Sequence, residues 1–298
     1  MKKPTVTIGI PAHNEEKNIG LLLDSILIQD TASFKLDKIL ILCDGCTDTT
    51  ASIAQKYSQE NKIIRVLGDN KRLGKSARLN QIYSQATSDI IVTLDADTVL
   101  APKSVSRLVS AFTSAKIGLV GGRAIPLPSE TIVGKALVVY EHFWHEVVQD
   151  INGGHNVHTH VGPISSVSKS LAKKLHLPNA PGTDHWRYFR TLQLGFKYRY
   201  VPEASVYFKV PDNLHDFLLQ HARFHTSAEN ISIDFGHLAQ DHYHIPLRHK
   251  LNAYIVSFFK SPFFFTIALG LQLLLRLYLL IRSESHQKAA WTMISSSK

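Results

Sequence analysis

The sequence predicts an α/β fold, a mixed and mainly parallel sheet flanked by helices, with an apolar helix in its C-terminal part. Two observations carry this. Short apolar, β-branched runs alternate with amphipathic stretches through the first 125 residues, the pattern of strands joined by covering helices. From Pro262 to Ile281 twenty residues run on with Gln272 and Arg276 as the main polar interruptions, long enough for a lipid-length helix.

The elements follow in order. Val6 to Ile10 is an apolar run stopped at Pro11, and Ile19, Leu22, Leu23 and Ile26 then fall at helical steps between Lys17 and Leu27. Ile39 to Cys43 is a second strand, after which Thr47 or Asp48 can cap a helix from Thr50 to Glu60. Ile63 to Leu67, a helix over Lys75 to Gln85, and a strand from Asp89 to Leu94 complete the alternation. Past Gly121-Gly122 the pattern loosens: a helix is expected over Ile132 to Val148, then a Gly/His loop from Asn152 to His160. A helix over Asp184 to Leu194, a strand over Tyr198 to Val201 and a helix from Leu214 to Glu229 follow. The expected division is 1–125 and 126–235 as two halves of one catalytic domain, and 236–298 as a C-terminal helical region.

The 298 residues are long enough to bury a large core, and 33 Lys and Arg against 24 Asp and Glu leave a net charge of +9. The excess favours anionic partners, but it is dispersed rather than gathered in a basic run, so nucleic acid is not an expected partner. The N-terminal apolar stretch is broken by Thr7 and Gly9 and reaches Pro11 too soon for a signal sequence, which predicts a reducing, cytosolic setting. Cys43 and Cys46 are then expected as free thiols. For the segment from Pro262 to Ile281, an Arg at a bilayer centre costs about 2.5–3.5 kcal/mol against roughly −0.3 to −0.6 for each Leu, Ile or Phe, so spanning and interfacial placements both stand. Arg248, Lys250 and Lys260 precede it and Arg282 and Lys288 follow, which leaves orientation undecided.

Four motifs stand where strands give way to loops, the place where open α/β sheets bind ligands. Asp95-Ala96-Asp97 puts two carboxylates where one hard cation, Mg²⁺ or Mn²⁺, can bridge them to a diphosphate, although an acidic pair is also common at a solvated strand end. Pro11-Ala12-His13-Asn14-Glu15 follows the first strand and reads otherwise as a helix start capped by Asn14. Asp44 ends the second strand, where a carboxylate can accept a base N–H or a ribose hydroxyl, and Gly45 permits a close backbone approach. Gly74-Lys75 opens a helix without the spacing of a complete phosphate loop, and Lys75 can attract a phosphate there. The Cys43-x-x-Cys46 spacing also suits a redox pair, an alternative that the Asp-Gly turn explains as well.

In this order and spacing the motifs resemble the family 2 glycosyltransferases, inverting enzymes of the GT-A fold that use nucleotide-diphosphate sugars. Pro11 to Glu15 is similar to the family's nucleotide-contacting segment, Asp44-Gly45-x-Thr47-Asp48 to its base-binding motif, Gly74-Lys75 with Leu79-Asn80 to its Gly-Lys…Leu-Asn segment, and Asp95-x-Asp97 to its metal motif. The resemblance covers Thr5 to Gly122, with weaker matches onward to Glu229 that resemble the membrane-associated synthase-like branch. It implies donor contacts from Pro11, Ala12, Asn14, Glu15, Asp44, Lys75, Asp95 and Arg223, metal ligation by Asp95 and Asp97, and Asp184 as general base. Asp184 can otherwise simply cap a helix. Gln220-x-x-Arg223-Phe224 is similar to the branch's Gln-x-x-Arg-Trp, with Arg on the diphosphate. Phe in place of Trp, and one apolar span rather than several, imply single transfer rather than polymer synthesis. The implied donor is a UDP-sugar, the implied acceptor a lipid-linked or surface glycan, and the implied location the cytoplasmic face of a membrane.

Sixteen histidines raise zinc, through His155, His158 and His160 or His237, His242 and His244, but no cysteine ligands lie nearby. Trp144 and Trp186 are either sugar platforms or core. Two other readings compete. A sugar nucleotidyltransferase would be expected to carry a basic, glycine-rich loop after the first strand, where this chain is acidic. A membrane-tethered binding protein without turnover would not need Asp97 and Asp184 together.

Overall fold

The computed structural model describes residues 3–180 and 182–281. Arg282 and Lys288, expected to flank the apolar helix, lie outside the described residues.

The first half is the alternation that the sequence predicts. Strands β1 (Thr5–Ala12), β2 (Lys35–Cys43), β3 (Ile64–Gly68) and β4 (Ile90–Leu94) are joined by helices α1 (Ile19–Leu27), α2 (Thr50–Glu60) and α3 (Lys75–Gln85). All four strands are parallel. Successive side chains of a strand face opposite sides. In β2, Ile39 and Ile41 therefore enter the core under α1 and α2, while Leu40 and Leu42 pack with Leu79 and Ile82 of α3 on the other face.

Past β4 come β5 (Thr98–Leu100), α4 (Ser104–Ser110), β6 (Ile117–Pro126), α5 (Ile132–Val148), β7 (Ile164–Ser168), α6 (Lys169–Ala172), α7 (Thr183–Gln193), β8 (Lys197–Phe208) and α8 (Leu214–Phe235). Two single 3-10 turns lie between α5 and β7, in the Gly/His loop. One eight-stranded sheet results, in the order β3-β2-β1-β4-β7-β6-β8-β5. β7 runs antiparallel to both β4 and β6, which makes the sheet mixed.

Several details differ from the sequence reading. β6, which the sequence reading left unassigned, runs through Gly121 and Gly122, where glycine is required because a Cβ would strike Tyr198 and the Ala204 carbonyl. The position 125/126 thus lies within β6. The strand at Tyr198 runs on to Phe208, since the register jumps from Gly122↔Val201 to Arg123↔Ser205 and the intervening Pro202, Glu203 and Ala204 bulge out of the ladder. Helix α8 extends past Glu229 to Phe235.

Three further helices close the described chain: α9 (His237–Tyr243), α10 (Leu247–Lys260) and α11 (Pro262–Ile281). Phe265 of α11 packs with Phe143 of α5 at 5.3 Å between centroids. Ala268, Leu271 and Leu275 share a core cluster with Ala136 and Leu137 of α5 and Phe217 of α8.

Candidate active site

The loops after β1 and β2 are stitched together. Asn14, at φ +55°, does not cap α1, whose first turn follows Asn18; its amide instead donates to Thr47 Oγ1 at 3.0 Å and accepts from Thr47 N at 2.8 Å. Asn is among the few side chains that tolerate that backbone, because its amide bonds locally. Glu15 N donates to Thr50 Oγ1 at 2.6 Å, and Glu15 Oε2 accepts from Asn18 Nδ2 at 2.9 Å. Pro11 and Ala12 are buried strand residues, and the Ala12 carbonyl accepts from Asp44 N at 2.8 Å.

Asp44 is fully buried and its carboxylate faces the chain's own groups. It accepts from Leu73 N at 2.7 Å, from Gly74 N at 3.0 Å and from Arg78 Nε at 2.9 Å. Arg78, itself 2% exposed, also reaches Asp69 at 2.8 Å and Gln81 at 3.0 Å. The close approach expected at Gly45 is made by this same loop, for a Cβ on Gly45 would meet Arg72 N at 3.0 Å. His13 bridges the two, its Nδ1 2.7 Å from the Asp44 carbonyl and its Nε2 2.7 Å from Arg72 Nη1. A carbonyl only accepts and a guanidinium only donates, so His13 carries its proton on Nδ1. Replacing Arg78 with Met leaves a buried carboxylate short of its cation. Urea unfolding of Arg78→Met is expected to give a loss of about 3–5 kcal/mol, the range for breaking a buried ion pair from one side.

Cys43 and Cys46 are free thiols in mutual contact. The Cys43 hydrogen bond holds the Cys46 thiol below its ordinary pKa, whereas the same contact and burial push Cys43 upward. Iodoacetamide should therefore label Cys46 with a rate rising through a midpoint below that of a free thiol, and leave Cys43 unmodified. In Cys43→Ala that midpoint is expected to move to higher pH, as read by mass spectrometry of the labelled peptide.

Asp95 and Asp97 flank the turn after β4. Burial, then the charges of Asp95 and Glu15, push the Asp97 carboxyl up to about 7. Carboxylates set against one another in this way are the donor set that a hard divalent cation satisfies. Among the described residues no third His, Cys, Asp or Glu completes a protein-only metal site, so the remaining ligands would be ligand oxygens or water. Lys75, first residue of α3, lies 2.6 Å from Asp95 Oδ1. Burial would lower its pKa, but Asp95 and Asp184 reverse the effect and raise it.

Asp184, in the first turn of α7, enters from the other half of the sheet. A Cβ on Gly162 would sit 2.6 Å from Asp184 Oδ2 and 2.9 Å from Lys75 Nζ, so the two side chains meet over a residue that must stay small. Asp184 Oδ1 accepts from Arg187 Nη2 at 3.0 Å, and Arg187 Nη1 donates to Tyr83 and to Thr93 of β4, each at 3.0 Å. Burial alone would raise the Asp184 pKa, yet Lys75 and Arg187 hold it down at about 2. Arg187 escaped the sequence reading; its i, i+3 spacing from Asp184 was the available signal. Arg223 of α8 lies over the Phe224 ring at 5.7 Å and feels the charges of Asp95, Asp97 and Asp184. The backbone of Pro163 accepts from Asp95 N at 3.2 Å, which ties the acidic turn to this side of the site.

The histidines of the Gly/His loop have separate contacts. His155 Nδ1 accepts from Tyr200 N at 3.1 Å, His158 stands edge-on to Trp144, and His160 packs between Tyr188 and Tyr198. His160 is fully buried with both ring nitrogens unpartnered, and burial holds it neutral. Trp186, partly buried, packs edge-on with Phe235 against the core.

Acidic turns and one buried carboxylate lie at the carboxyl ends of a mainly parallel sheet, the place where open α/β folds bind their ligands. The chain belongs to glycosyl transferase family 2, whose profile matches residues 7–175. It is 28% identical over 241 residues to an N-acetylglucosaminyltransferase of Azorhizobium caulinodans, covering 74% of this chain and 59% of the relative. To the undecaprenyl-phosphate 4-deoxy-4-formamido-L-arabinose transferase of Salmonella choleraesuis it is 33% identical over 107 residues, 35% of this chain and 32% of that protein. The chain thus spans less than two thirds of either relative. In fold it is similar to a mannosyltransferase from Pyrobaculum calidifontis solved with GDP-Man and Mn²⁺, at TM-score 0.61 and 17% identity over 93% of this chain and 76% of that one. It is also similar to glucosyl-3-phosphoglycerate synthase from Mycobacterium tuberculosis, at TM-score 0.56 and 20% identity over 78% and 79%. The architecture is the GT-A fold.

Proposed function

We propose that this chain transfers one sugar from a nucleotide-diphosphate sugar, a UDP-sugar by preference, to a lipid-linked or surface glycan acceptor at the cytoplasmic face of a membrane, with inversion at the anomeric carbon. The observation that carries the reading is the convergence of Asp95, Lys75 and Asp184 from opposite halves of one sheet. A divalent cation, Mn²⁺ or Mg²⁺, held by Asp95 and Asp97 would neutralise charge on the leaving diphosphate.

The chain's own groups do the rest. Lys75 and Arg223 supply positive charge beside the diphosphate. Asp184 takes the acceptor hydroxyl proton as its oxygen bonds to the anomeric carbon and the bond to the diphosphate oxygen breaks. A carboxylate held at about 2 by Lys75 and Arg187 is a weak base in the free protein. Donor phosphates drawing on the same cations would raise its basicity on binding. Arg187, fixed to Tyr83 and Thr93, keeps the carboxylate aimed. The Salmonella relative, named for transfer to undecaprenyl phosphate, supports a lipid-linked acceptor, and α11 supports membrane association.

The test is release of nucleoside diphosphate from UDP-, GDP- and dTDP-sugars, with membrane extract as acceptor and either Mn²⁺ or EDTA. Metal-dependent release from one donor supports the reading. Tight, metal-dependent nucleotide binding without release would replace it with a binding function.

A further inference from the structure

α11 is long and apolar enough to cross a bilayer, yet its packing argues for another placement. Its inner face is buried from Phe265 to Leu275, against Phe143 at one end of α5 and Ala136 and Leu137 at the other. The two helices therefore run side by side for most of their length. α5 carries Lys135 and Glu146, 42% and 41% exposed, and the exposed His142. Threading α11 through a bilayer with this packing intact would draw those groups into hydrocarbon, at about 2.5–3.5 kcal/mol for a charged side chain near the centre.

The outer faces tell the same story. α10 turns Ala253 and Ser257 inward and leaves Leu247, Leu251, Tyr254, Ile255 and Phe258 exposed at steps of three and four. α11 leaves Phe263, Leu273, Leu274, Leu277 and Ile281 exposed, opposite its buried face. Phe259 and Phe263, 81% and 65% exposed, join the two stripes. An apolar surface of this extent marks an interaction site. Arg248, Lys250 and Lys260 lie on or beside α10, and with a chain charge of +9 they match an anionic surface.

We propose that α10 and α11 together lie in the plane of one leaflet of an anionic bilayer, outer stripes downward, with the sheet and its active site held above the headgroups. This rests on the membrane reading above and specifies its geometry: a monotopic platform rather than a spanning anchor.

The test uses the full chain bound to phosphatidylcholine vesicles containing phosphatidylglycerol. Nitroxides are attached through a genetically encoded keto amino acid, one at a time, at Phe259, Phe263, Leu274 and Ile281, and depth is read from oxygen and nickel-chelate accessibility. All four are expected at one shallow depth, about 5–10 Å below the phosphates. Leu274 at the midplane with Phe263 and Ile281 near opposite surfaces, roughly 27 Å apart at helical rise, would overturn the proposal. The paired change Ile255→Asp and Phe259→Asp is expected to cut vesicle binding at least tenfold and leave diphosphate release in detergent unchanged. Unimpaired vesicle binding by that variant, or stripes covered by a second copy of the chain in sedimentation, would also overturn it. Diphosphate release measured on the same samples separates failure of this geometry from failure of the transferase reading.

Discussion

With Asp97 replaced by Asn, donor turnover in Mn²⁺ is expected to fall about a thousandfold or more, since stabilising charge on a leaving diphosphate is worth several kcal/mol and each 1.36 kcal/mol is tenfold in rate. Asn keeps the size of the side chain and removes the charge that Asp95 and Glu15 oppose. The fold should therefore tolerate the change, and the thermal midpoint should hold or rise. The measurement is diphosphate release over a Mn²⁺ titration. A parent-like rate at every Mn²⁺ concentration would remove Asp97 from the reaction.

The second large effect belongs to Asp184. Asp184→Asn is expected to lower kcat by about 10²–10⁴, the usual contribution of a general base, with the donor KM changed little. Arg187 supplies the control. Arg187→Lys keeps a cation but cannot span Asp184, Tyr83 and Thr93 together, so it should misplace the carboxylate and depress kcat by less than the loss of the base itself. Asp184 does not cap α7, whose N-cap is Gly182, so equal kcat for parent and Asp184→Asn would leave this residue only its ion pair with Arg187.

The parallel half of the fold was legible because its signals are local. β1, β2 and β4 contain short apolar runs, those of β2 and β4 ending before Asp44 and Asp95 and that of β1 continuing through Pro11, the expected stop, to Ala12, where it pairs with Cys43; each helix between them repeats its apolar residues at helical spacing. β5 has three residues, β6 contains Gly121 and Gly122, and β8 is interrupted by Pro202 and Glu203, so none of them keeps a period long enough to read. Their pairing is decided by partners far away in sequence.

The site divides in the same way. Asp95 and Asp97 announce themselves as a pair at a strand end. The embedding of Asp44 depends on Arg78 and on the backbone of Leu73 and Gly74, about thirty residues on, and no spacing rule reports it. The carboxylate expected to reach for a base also organises the loop beside it. Asn14, readable as a cap, became a clamp because its left-handed backbone aims the amide at Thr47. Arg187 and His160 gain their meaning only once α7 and the Gly/His loop fold against β4 and β8.

The unbroken sheet limits how this protein can move. β4 bonds to β7 and β7 to β6 without a gap, and the Asp95–Pro163 backbone bond crosses from one side of the site to the other. Two lobes that share a hydrogen-bonded ladder cannot swing apart on a hinge without breaking several ladder bonds at once. Room for a ligand is therefore expected to come from loops and side chains above the sheet rather than from separation of its two halves.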